Sequence, residues 1–181
     1  MFNKAKLLDR TECLTLLTTK ASSHWSYWKF VLALPLILTS SSMVIINSIT
    51  TDANEVKIPN IIVNSISVLI MSLTNSIKAS EKLDLFHRLS QQFMILSCEL
   101  EQIEEDISPE EGKTLLLKYE TLVNQISFEE IPQSIKANVS KLYSDNSRYI
   151  PIQLNGSSGL FEKNKRKSGN SSSIELSSQI V

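Results

Sequence analysis

Glycine is nearly missing from this chain, with 4 in 181 residues and none before Gly112. That excludes a glycine-rich phosphate loop or a dinucleotide fingerprint upstream of it, because both bring backbone against phosphate where only glycine fits. Cysteine is scarcer still. Cys13 and Cys98 cannot build a disulfide-dense scaffold. With His24 and His87 they match no zinc-ligand spacing, since the chain holds no CxxC and no HxxxH. An excess of positive charge is also missing. The net charge is −1, so nucleic acid is not the expected partner. The chain has no GxSxG, no HExxH and no kinase-like set. No catalytic residue, metal or cofactor is expected. Glu99, Glu101, Glu104, Glu105, Asp106, Glu110 and Glu111 form an acidic cluster. It lacks the alternating ligands and glycine of an EF-hand and reads as a solvated face.

Charge of either sign is absent from two long stretches. After Lys29 the next charged residue is Asp52, which leaves residues 30–51 uncharged. Residues 58–77 are uncharged as well. About 20 helical residues cross a bilayer core. The sequence therefore predicts an all-α integral membrane protein with spans at 30–51 and 58–77, joined by a short loop at 52–57. Two buried helices of a soluble bundle are the competing reading, favoured by the Ser, Thr and Asn content and by Pro35. Against it, two successive helices of that length without one charge are rare in soluble proteins. Proline is tolerated in membrane helices. The position of the first span, after 29 residues, is unlike a cleaved signal.

The flanks set the expected topology. Residues 1–29 carry Lys4, Lys6, Arg10, Lys20 and Lys29, and residues 78–97 carry Lys78, Lys82 and Arg88. The loop has only Lys57 as a cation. Both termini are expected on the cytosolic side. Trp25, Tyr27 and Trp28 stand where an interfacial aromatic belt would lie.

Residues 1–29 read as an amphipathic helix, with Leu7, Leu14, Leu17, Ala21 and Trp28 on one side, running unbroken into the first span. Residues 78–150 read as a cytosolic helical region. Its first helix carries a seam of Phe86, Leu89, Phe93, Leu96, Leu100, Ile103 and Ile107, spaced 3-4-3-4-3-4. That spacing serves a partner subunit or the chain's own next helix equally well. Ser108-Pro109-Glu110-Glu111 is a capping-box start, followed by Leu116, Tyr119, Val123 and Ile126. Ser127-Phe128-Glu129-Glu130 repeats the pattern, before a short helix through Ile135, Val139 and Leu142. Residues 151–181 read as a disordered, Ser-rich tail, in which the basic cluster Lys163, Lys165, Arg166 and Lys167 reads as solvated, with contact to anionic lipid as the alternative.

The polar residues within the spans are the leading candidates for function. On a wheel of about 100° per residue, Asn60, Asn64, Ser67, Met71, Thr74, Asn75 and Lys78 fall in one sector of about 100°. Such a stripe must meet protein or water and not lipid. In the first span Ser40 and Asn47 share a face, and Thr39 to Ser42 wrap the helix. These groups either bond helices together or line a pore. Two helices per chain cannot enclose a pore, so conduction requires a homo-oligomer.

The order of parts resembles the SLATT group of two-transmembrane proteins, in the divergent form found in large DNA viruses. The resemblance rests on Ser26-Tyr27-Trp28-Lys29, Leu34-Pro35-Leu36-Ile37-Leu38-Thr39-Ser40, Ala79-Ser80-Glu81-Lys82, Phe86-His87-Arg88-Leu89-Ser90, Phe93 and Glu99-Leu100. It covers roughly residues 20–150. It implies an oligomeric protein of a host or virion membrane that forms pores or perturbs the bilayer. The alternative is a scaffolding membrane protein whose cytosolic helices recruit other proteins.

Overall fold

The computed structural model describes residues 3–49, 53–103 and 108–154, with the side chains of 53–55 excepted. Every regular element among them is helical. The order is α1 (Lys4–Ile49), α2 (Ala53–Ile77), α3 (Ala79–Gln102), α4 (Pro109–Asn124) and α5 (Gln133–Asp145), with short 3₁₀ turns at Phe128–Glu130 and Ile152–Leu154. Two compact units result. One combines the first 21 residues with Phe86 onward; the other is Ser22–Leu85.

α1 runs for 46 residues without a break, as expected from a stretch that has no glycine. Pro35 lies inside it and removes one backbone donor. The hydroxyls that follow turn back on their own helix. Thr39 and Ser40 donate to the Leu36 carbonyl, Ser41 to Ile37 and Ser42 to Leu38. The Ser run thus satisfies itself locally. α2 starts at Ala53, so the helix takes up residues that charge patterning put in the loop.

α2 and α3 meet at a single left-handed residue. Lys78 has φ 52°, a region that costs a side-chain-bearing residue about 1–2 kcal/mol. Its N–H still bonds the Thr74 carbonyl at 3.1 Å, and its carbonyl accepts from Lys82 N at 3.2 Å. These two bonds tie the end of α2 to the start of α3 through Lys78.

The unit built on Phe86 onward buries the α3 seam. Phe86, Leu89, Phe93 and Leu100 are fully buried and Leu96 nearly so. Leu7, Cys13, Leu14, Leu17 and Ala21 of α1 join the same unit. Phe93 meets Tyr119 of α4 edge-on at 6.4 Å. The seam is thus covered by the chain itself. Ile103 is half-buried, and Ile107 lies outside the described residues, as do Glu104, Glu105 and Asp106.

Ser108 forms its capping box. Its Oγ accepts from Glu111 N at 3.3 Å, and Glu111 Oε2 accepts from Ser108 N at 3.2 Å. The buried face of α4 is Gly112, Leu115, Tyr119 and Val123. Leu116, expected inside, is 42% exposed. Leu115-Leu116-Leu117 offers three helical phases, and packing chose the one in line with Gly112. The second capping pattern does not form. Ser127 makes no side-chain cap; a 3₁₀ turn follows it, and α5 begins after Pro132. Proline has no N–H to lose there, which makes it a natural start. α5 buries Val139 and Tyr143, whereas Leu142 is exposed. The structured part also runs past residue 150. Pro151 and Leu154 are buried, and Ser140 Oγ donates to the Leu154 carbonyl at 3.3 Å. Residues 155–181 lie outside the described part.

Candidate functional site

The unit Ser22–Leu85 is an antiparallel pair formed by the second half of α1 and by α2. Its cross-helix bonds fix the register. Asn60 Nδ2 donates to Asn47 Oδ1 at 3.4 Å, and Ser67 Oγ donates to Thr39 Oγ1 at 3.2 Å. Both helices are long and apolar enough to cross a membrane, and only 6% of the most apolar stretch of each is buried. Leu34, Ile37, Leu38, Val44 and Ile45 of α1 are exposed, as are Ile61, Ile62, Ile66, Leu69 and Leu73 of α2.

The polar stripe divides in two. Asn60, Ser67 and Thr74 are half-buried against α1. Ser67 also donates to the Val63 carbonyl, and Thr74 donates to Ile70. These three serve the hairpin itself. Asn64 and Asn75 do not: both are exposed. Asn60 Oδ1 is buried and accepts no hydrogen bond. Ser40 and Asn47 are exposed on α1.

These groups share one edge of the hairpin. Ala33 and Leu36 face Asn75 and Lys78 across a common groove. Ser40 and Asn47 follow Ala33 at seven-residue steps, which keeps them on its face. Asn64 precedes Asn75 by three turns, again on one face. Ser40, Asn47, Asn64 and Asn75 are all exposed along this edge, and Ser41, Ser42, Ser65, Ser72 and Ser76 are exposed on other faces of the two helices.

At the other end of the hairpin from its turn, Lys82 Nζ lies 4.5 Å from the centre of the Trp25 ring. His24 packs edge-on against Trp25 at 5.5 Å and Trp28 at 6.4 Å.

The family models, the curated proteins and the solved structures include no match to this chain.

The unit starting at Phe86 has its own candidate surface. Gln92, Ile95 and Leu96 of α3 and Leu117, Thr121 and Leu122 of α4 line an open groove of about 460 Å³. Ile95 and Leu117 are exposed. The ion pair Lys118–Glu99, 2.8 Å long, crosses it. Sequence reading missed this groove, since it lies beside the seam and not on it. Its signal was Met94-Ile95 and Leu116-Leu117, apolar pairs out of phase with the buried positions. Reading by spacing also missed the tie between α1 and the segment after α5. Arg148 pairs with Glu12 and, at 3.7 Å, with Asp9.

Among the described residues no three His, Cys, Asp or Glu side chains are grouped to hold a metal. The two thiols are in unlike settings. Cys13 is fully buried and Cys98 exposed. Burial, aided by the Asp9 charge, pushes the Cys13 thiol up to about 12. Thiolate is the reactive form. A maleimide at pH 8 should label one thiol per folded chain, and two after denaturation. Two labels on the folded chain would contradict the burial of Cys13.

Tyr119 and Tyr143 behave alike. Burial raises Tyr119 to about 12, with Arg10 opposing; burial raises Tyr143 to about 12, with Cys13 and Glu12 adding to it. All three groups keep their protons to higher pH in the folded state than unfolded. Stability is then intact below about pH 9, where the unfolded groups are protonated too, and is lost as pH climbs toward 12. Denaturation midpoints measured from pH 8 to 12 should fall across that window. A flat profile would contradict it.

Proposed function

We propose that this chain is an integral membrane protein of two spans that assembles as a homo-oligomer and opens a polar path through the bilayer. The observation that carries the proposal is the pair of exposed amides Asn64 and Asn75 on the apolar helix α2. Asn64 stands about 10 Å inside the span at 1.5 Å per residue. An amide facing hydrocarbon costs several kcal/mol. Covering it requires another protein surface or water. A second copy brings the same edge, with Ser40 and Asn47 beside it, and several copies around an axis would turn these edges inward. Two apolar helices with exposed surfaces support the membrane setting. A core helix of a soluble protein would be mostly buried. The flanking lysines support cytosolic termini. The SLATT resemblance supports a pore-forming or membrane-perturbing role in a host or virion membrane. We assign no catalysis, no cofactor and no nucleic-acid partner. The test is release of a fluorescent ion reporter from liposomes holding the purified chain. Flux above that of empty liposomes is expected. A purified oligomer that passes no ion at any voltage would overturn conduction.

A second reading has its own support. The groove of Ile95 and Leu117 exposes apolar side chains on the unit outside the spans. Such surface fits recruitment of a protein partner, and the chain would then be a membrane scaffold. Changes at Ile95 that redistribute the protein in cells without altering flux would favour it.

A further inference from the structure

The groove between α1 and α2 at the Lys29 end of the hairpin holds Asn75 of the exposed edge and joins it to two lysines and an apolar wall, which a pore lining alone does not require. It encloses about 320 Å³. Leu32, Ala33 and Leu36 form an apolar wall. Lys29, Asn75 and Lys78 stand at its polar end. Lys29 immediately precedes the first uncharged stretch and Lys78 immediately follows the second. Antiparallel pairing brings those two boundaries to one level. The groove thus joins apolar walls below to two cations above, both at the edge of the spans.

We infer that this groove binds the phosphate group of an anionic phospholipid, with Lys29 and Lys78 taking the charge and Leu32, Ala33 and Leu36 taking the start of an acyl chain. This rests on the membrane reading above. Basic pockets between spans on the cytoplasmic side suit such headgroups. Glu81 also lines the groove and pairs with Lys78 at 3.3 Å, but its side chain is 72% exposed. Water screens that pair strongly, and Lys29 has no ion-pair partner among the described residues. The polar end therefore keeps a positive excess. Asn75 and Ser80 add uncharged donors. α3 also begins here, at Ala79, and the start of a helix favours an anion.

The chain contains its own reporters. Its only tryptophans, Trp25 and Trp28, lie within a turn of Lys29. The full chain is placed in lipid nanodiscs containing brominated phosphatidylglycerol or, at the same mole fraction, brominated phosphatidylcholine. Tryptophan quenching then reads which lipid sits beside the groove. The native chain should show an anionic preference of about fivefold or more, the size of one lysine's attraction at a charged surface. The double change K29Q/K78Q should bring the preference near one, and K78R should keep it. The double change K20Q/R88Q removes as much charge from the flanks and should leave the preference in place. Equal quenching by both lipids in the native chain would overturn the lipid site alone, as would equal losses in the two double variants. Added inorganic phosphate should lower the preference no more than chloride of equal ionic strength does; a preference abolished by phosphate alone would assign the groove to soluble phosphate and overturn lipid as its ligand. Absence of quenching by either lipid would overturn the membrane reading, and this inference with it.

Discussion

Replacing Phe93 by alanine is expected to lower stability by about 3–5 kcal/mol, the usual cost of removing a buried aromatic ring. Phe93 is fully buried and meets the Tyr119 ring at 6.4 Å. The loss therefore combines transfer of the ring, the cavity left behind and one aromatic contact. Leu100→Ala should cost about 2–5 kcal/mol by the same reasoning. Leu96→Asp should be worse than either alanine change, because it places a charge at a position only 3% exposed. Its neighbours along the seam are Phe93 and Leu100. Denaturant titration of the purified chain, followed by helical signal, checks all three. Leu116→Ala serves as the contrast: Leu116 is 42% exposed, so its loss should be small. Equal effects at Leu96 and Leu116 would contradict the packing of α3 and α4.

The second large effect is expected at Asn64. Asn64→Leu should leave the hairpin intact, since the cross-helix bonds are made by Asn60 to Asn47 and Ser67 to Thr39. The oligomer should persist, while ion flux falls to that of empty liposomes, because an apolar lining dries a narrow lumen. Asn64→Asp should instead favour cations. If Asn64 only holds copies together, the leucine change would weaken assembly by about 0.6–2 kcal/mol, and neither form would conduct. Flux and sedimentation measured on the same preparations separate the two results.

Local spacing carried much of this architecture. The charge-free stretches have the length of two apolar helices, and the seam positions Phe86 to Leu100 are buried as their 3-4 spacing requires. Ser108 caps a helix because Pro109 and Glu111 supply the rest of the box. Spacing failed where it was ambiguous or where chemistry was non-local. Three consecutive leucines left the phase of α4 open. Ser127 has a Glu three residues on but no helix to cap, since Pro132 sets a later start. Among the polar residues of α2, the wheel grouped Asn60 with Asn64. Only the position of α1 divides them into a bonded residue and an exposed one. Lys29 and Lys78 lie far apart in sequence, so their common groove could not be read until the hairpin was in place. The tie from Arg148 to Glu12 is longer still in sequence.

The central claim is that the exposed asparagine edge of the hairpin is covered by further copies of the chain. The mass of the protein part of the detergent-solubilised complex, from light scattering corrected for bound detergent, tests it most directly. The account predicts a multiple of the 20.4 kDa chain mass, large enough to surround an axis. A particle of a single chain mass would contradict it.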